Sequence, residues 1–137
     1  MNIPRIPVDE IAGIIRTQTE KPQIIFVLND GRHEDIEFQN TDERDRTWGN
    51  IEHNLKSREL DFVYHRNVCV RPSSLVCVEP VHTTQGKEVL HFCFSSGVEF
   101  NQHYADRAVL SQEYAQLATT LAFAQYERTN CVSFTTH

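Results

Sequence analysis

Five consecutive apolar residues, Ile24–Leu28, run directly into Asn29-Asp30-Gly31. Strand alternation places Ile24, Phe26 and Leu28 on one face and Ile25 and Val27 on the other. A strand that is apolar on both faces needs a layer against each, so it belongs in the middle of a sheet covered twice. Asn29-Asp30-Gly31 suits a three-residue hairpin loop, a type I turn closed by a glycine in the left-handed region. His33–Phe38 then returns with Ile36 and Phe38 inward and acids outward. Asn40-Thr41 offers a helix cap, and Asp42, Glu43 and Asp45 put negative charge where the helix dipole favours it. Trp48, Ile51 and Leu55 recur as a narrow apolar stripe. Gln23–Leu55 therefore predicts strand, tight turn, strand and helix.

The same plan returns further along. A shift of 66 residues brings Lys21 onto Lys87, Phe26 onto Phe92, Gly31 onto Gly97 and Leu55 onto Leu121 without a gap. Val89–Phe94 and Val98–Gln102 read as the second hairpin around Ser95-Ser96-Gly97. Asp106 can cap a second helix, whose stripe is Leu110, Tyr114, Leu117 and Leu121 and whose end is placed near Tyr126. Spacing, turn chemistry and stripe agree together, which favours a tandem duplication. One face differs between the copies: Ile25 and Val27 become His91 and Cys93.

The remaining stretches fill in around these units. Ile3–Val8, with two prolines, reads as an edge strand, followed by a turn and a strand at Ile11–Thr17. Phe62–Val70 reads as one strand, Arg71-Pro72-Ser73-Ser74 as a turn, Leu75–Thr83 as a strand and Cys131–Thr135 as a short final strand. The fold class is α+β: antiparallel sheets with two helices. Residues 1–137 form a single compact domain with a possible pseudo-repeat, 1–61 and 62–137.

A formal charge of −6 without a Lys/Arg cluster argues against duplex DNA and against anionic membranes as partners. The run Ile24–Leu28 is far too short to span a bilayer. Ile3-Pro4-Arg5-Ile6-Pro7-Val8-Asp9 lacks the apolar core of an export signal, so the expected location is the cytoplasm, of the chain's own cell or a host's. None of Cys69, Cys77, Cys93 and Cys131 forms a CxxC pair, and buried free thiols are the expected state.

Four kinds of chemistry can be weighed. His91 and Cys93 are two apart on a strand and face the same way; His65 and Cys69, four apart, would also share a face. Such sets can hold zinc. No close ligand pair anchors them, so the assignment is structural histidines and buried thiols, with no metal and no cofactor. Cys69 or Cys93 beside a histidine could serve as a nucleophile, but strand-interior thiols are usually inert. The acids at Glu34, Asp35 and Glu37 and at Asp42, Glu43 and Asp45 are explained by a solvated face and a helix start. The set best suited to a ligand is Arg66, Arg71, His91, Phe100, Asn101, His103, Tyr104 and Arg107. Stacking rings, amides and cations there could take a base and a phosphate. The bland alternative is internal salt bridges, with Phe100 and Tyr104 in the core.

Ile24–Leu55, in particular IEFQNTDERDRTWGNIEHNL, is similar to the last hairpin and helix of pleckstrin-homology domains, which end in a strand, an acidic helix start and a tryptophan placed like Trp48. The resemblance covers that supersecondary unit alone, and lipid binding is not carried over.

No motif carries a reaction. The expected function is a non-enzymatic binding or interaction protein acting as a homo-oligomer, with Ile3–Val8 and Cys131–Thr135 as edges able to pair across chains. One alternative is a protein that binds or sequesters a small nucleotide-like signalling ligand, of the kind viruses use against bacterial defence. The other is a small thiol- or metal-dependent hydrolase.

Overall fold

The computed structural model describes residues 5–17 and 21–133, with side chains as far as residue 122. The elements are β1 (Ile11–Arg16), β2 (Gln23–Leu28), β3 (His33–Glu37), α1 (Thr41–Ser57), β4 (Val63–His65), β5 (Val68–Val70), β6 (Leu75–His82), β7 (Glu88–Phe94), β8 (Glu99–Tyr104) and α2 (Arg107–Ser133). The strands make two antiparallel sheets. Sheet A has five strands in the order β3-β2-β1-β5-β4, and sheet B has three in the order β6-β7-β8. The chain is of the α+β class.

Sheet A lies between two apolar layers. On one face Ile14, Ile24, Phe26, Leu28 and Ile36 pack under Trp48 and Leu55 of α1. On the other, Ala12, Ile15, Val27, Val68 and Val70 meet Leu90, Phe92 and Phe94 of sheet B and Leu110 and Leu117 of α2. Burying each large side chain of this kind contributes roughly 1.5–3 kcal/mol. The doubly apolar strand is thus β2, and both of its layers come from its own chain. Gly13 permits the close approach of the sheets, because a Cβ there would lie 2.9 Å from the Phe94 ring.

β1-β2-β3-α1 and β6-β7-β8-α2 share their main-chain plan. Each begins with a 3-10 turn, Val8–Glu10 and Pro72–Ser74, closed by the bonds Glu10 N to Pro7 O and Ser74 N to Arg71 O. Each first strand carries a bulge, between Ile11 and Gly13 and between Leu75 and Cys77. The hairpin turns match as well: Gly31 has φ 93 and Gly97 φ 94. Their N–H groups bond to Leu28 O and Phe94 O. Asn40 and Asp106 cap the two helices through the N–H groups of Glu43 and Val109.

Three elements differ from the sequence reading. Phe62–Val70 is a hairpin of two short strands, because Arg66 takes φ 47 and reverses the chain at Arg66-Asn67. Val63–Val70, which a division at 61/62 puts in the second half, completes the sheet of the first. The end placed near Tyr126 and the strand at Cys131–Thr135 give way to α2, which runs on to Ser133; residues 134 and 135 lie outside the described ones. No glycine or proline interrupts that stretch, so helix propagation overrides the β-type composition. In the Ile3–Val8 stretch, residues 3 and 4 lie outside the described ones, residues 5–7 are not strand, and Val8 opens the 3-10 turn.

Candidate functional site

The proposed ligand residues do not form one group. Arg66 stands at the apex of the β4–β5 turn, and its Nε lies 2.5 Å from the Glu113 carboxylate of α2. Glu113 is buried, and His65 Nε2 approaches the same oxygen at 3.2 Å. Burial, with Arg66 adding to it, lowers the His65 pKa below its ordinary value, against the pull of Glu113. The anion that Arg66 calls for is therefore internal. Arg71 lies at the other end of β5. Its guanidinium bonds to Ile11 O, Val8 O and Asp61 and stacks 4.6 Å from the Phe62 ring, fastening the 3-10 turn to the sheet. Arg107 opens α2 and reaches Glu88 at 3.4 Å.

β8 splits its residues by alternation. Phe100 and Tyr104 pack against the inter-sheet core, and Gln102 is buried between them. Burial pushes the Tyr104 hydroxyl up to about 12. Asn101 and His103 point the other way and are exposed. Along the β8 edge, Phe100, Asn101, Gln102 and His103 line a cleft of about 370 Å³ with Arg16, Thr17, Gln23 and Ile25. Of the candidate ligand set, Phe100, Asn101 and His103 are brought together there; Arg16 is the cation that sequence reasoning missed. Arg16 is itself engaged, with Asn67 Oδ1 at 2.9 Å, Asp45 at 3.4 Å and the Trp48 ring at 5.0 Å.

The outer face of sheet B gathers a different set. His91 and Cys93 project from β7, with Glu99 and Asn101 opposite them on β8 and Cys77 opposite Cys93 on β6. His91 Nδ1 bonds to Asn101 Oδ1, and Nε2 lies 3.0 Å from Glu99. The Asn101 bond, then Glu99, raises the His91 pKa. The neighbouring Cys77 thiol, first, and then burial push the Cys93 thiol up to about 11, and burial pushes Cys69 up to about 12. Neither thiol is a ready nucleophile at neutral pH. His65 and Cys69 do not share a face: Cys69 belongs to the α1 layer, while His65 pairs with Val68 of the opposite layer.

Sheet B also leaves an edge open. Among the described residues no strand pairs with the outer side of β6. Val76 there is 68% exposed, beside a groove lined by Leu75, Val78, Tyr114, Ala118 and Leu121.

No protein-family model matches the chain, no curated protein matches it in sequence, and no solved structure matches its fold. No helix among the described residues is long and apolar enough to cross a membrane.

Proposed function

We propose that this chain is a non-enzymatic interaction protein that assembles with a second copy of itself, β6 of one protomer adding antiparallel to β6 of the other. One observation carries the reading: the outer edge of β1 is filled by β5, whereas among the described residues the matching edge of β6 is open with Val76 exposed. β1 receives Arg71 N at Ala12 O and gives Arg16 N to Asn67 O. In β6, Thr83 N bonds inward to Lys87 O, so alternation turns Val78 and Pro80 outward. Pro80 has no N–H to give, which confines pairing to Val76–Val78. A two-fold arrangement centred on Cys77 uses that stretch twice and lays apolar side chains on apolar side chains. A duplicated β-β-β-α unit accounts for the shared plan: the β4–β5 hairpin completes the first copy, and the dimer completes the second.

The test is light scattering over a concentration series. The wild-type chain is expected to be a dimer and Val76→Lys a monomer with unchanged circular dichroism. A wild-type monomer at all concentrations would refute the proposal.

A second reading rests on the cleft beside β8. Its ring, amides and histidine suit a small nucleotide-like ligand, which a sequestering protein would hold there. A thermal-shift screen with mono-, di- and cyclic nucleotides tests it: a bound ligand raises the melting temperature in proportion to RT ln(1 + [L]/Kd), and Phe100→Ala cancels the rise.

A further inference from the structure

We infer that Cys77, His91, Cys93 and Glu99 on the outer face of sheet B form a binding site for a thiophilic divalent cation, zinc being the natural occupant. The four residues come from all three strands of the sheet: Cys77 from β6, His91 and Cys93 from β7, and Glu99 from β8. The ligand atoms of His91, Cys93 and Glu99 all lie within 4.8 Å of one another. Two of the separations are 3.0 Å, His91 Nε2 to Glu99 Oε1, and 3.7 Å, Cys93 Sγ to the same oxygen. The edges of a zinc tetrahedron built from nitrogen, oxygen and sulfur donors measure about 3.3–3.8 Å. Cys77 is the direct cross-strand neighbour of Cys93 and supplies the fourth donor beside these three.

The imidazole is already oriented for the task. Its Nδ1 faces Asn101 Oδ1, which accepts the N–H and leaves the Nε2 lone pair aimed at the thiol and carboxylate. A carbonyl oxygen on the far nitrogen is the usual support of a metal-bound histidine. A divalent cation satisfies the imidazole, the carboxylate and both sulfurs together. Two sulfurs, one nitrogen and one oxygen make a soft set, which selects zinc over magnesium or calcium. Glu99 is 64% exposed on its side chain, so its carboxylate is free to settle onto the ion. On binding, each thiol loses its proton to solvent, and two metal–sulfur bonds replace two S–H bonds with no change of oxidation state. The ion then staples β6, β7 and β8 together on the face that no layer of the described residues covers.

The experiment titrates the full chain, reduced and stripped of metal, with Co²⁺ and then Zn²⁺. The expected result is one equivalent of cobalt, visible bands of tetrahedral Co²⁺, a thiolate-to-metal band, and displacement of all of these by zinc. About two protons should leave per metal at neutral pH, and zinc should raise the melting temperature. Cys77→Ser and Cys93→Ser should each abolish the tetrahedral spectrum, and Glu99→Gln, an exposed change, should weaken binding without unfolding. Asn101→Ala should weaken it by roughly 10–100-fold through the imidazole it orients. Cys69→Ser, on the opposite side of the molecule, should bind as wild type. No saturable cobalt spectrum, a spectrum surviving in the Cys77→Ser/Cys93→Ser double variant, or a Cys77–Cys93 disulfide with no metal retained under reductant would each overturn the site.

Discussion

β2 and β7 occupy the same place in two units of the same plan, yet among the described residues one is covered on both faces and the other on one. In β2, the face bearing Val27 packs against sheet B and the face bearing Phe26 packs under α1. In β7, Phe92 takes the helix-covered side, and the other side, His91 and Cys93, looks outward. The bulge pair Gly13↔Val27 in the first unit corresponds to Cys77↔Cys93 in the second. Where a second layer arrives, that pair is reduced to glycine and valine so that the Phe94 ring can enter. Where none arrives, the position is free to carry thiols. One backbone plan thus gives a packing surface in one setting and, in the other, an outward face that carries His91, Cys93 and Cys77.

The comparison breaks most readily by placing a charge at matched positions. Val27→Asp should cost about 3–5 kcal/mol, because it leaves an uncompensated charge between two layers. Cys93→Asp in the metal-free protein should stay within about 1 kcal/mol of wild type. Urea unfolding of both variants decides it, and equal losses would mean that β7 is as enclosed as β2. Gly13→Val should cost about 1–3 kcal/mol by forcing the Phe94 ring aside. Cys77→Val, at the matching bulge position, should change the melting temperature by far less.

A smaller effect separates the histidines of the buried and open regions. The His65 pKa is lowered in the folded chain, chiefly by burial, so the unfolded chain binds the extra proton first. Stability is therefore expected to decline as the pH falls below about 6.5, the ordinary histidine value, toward the folded one. His65→Gln should flatten that decline in pH-dependent unfolding curves; an unchanged slope would place its origin elsewhere. Smallest of all, Val76→Lys should leave monomer stability within about 0.5 kcal/mol of wild type while abolishing association.

The sequence made β2 legible because apolarity on both faces has one common cause, and the caps at Asn40 and Asp106 because capping is local. The hairpin at Arg66-Asn67 was hidden: apolar residues flank it, and no glycine marks the turn, which Arg66 makes in the left-handed region. Reading Phe62–Val70 as one strand left Arg66 mid-strand and wanting a ligand, when α2 supplies Glu113 across 47 positions of sequence. The spacing of His91 and Cys93 was visible, but Cys77 and Glu99 join them only through strand register and a bulge. The open edge of β6 was invisible for a related reason: it is defined by where β5 goes, and β5 goes to β1.

The central claim is that the edge of β6 is filled by a second copy as the edge of β1 is filled by β5. Amide hydrogen exchange, followed residue by residue as protein concentration rises, tests it most directly. The account predicts that the Arg16 N–H is protected at every concentration, while the Val78 N–H passes from fast exchange in the dilute monomer to protection in the dimer. Fast exchange at Val78 at all concentrations, with Arg16 still protected, would contradict it.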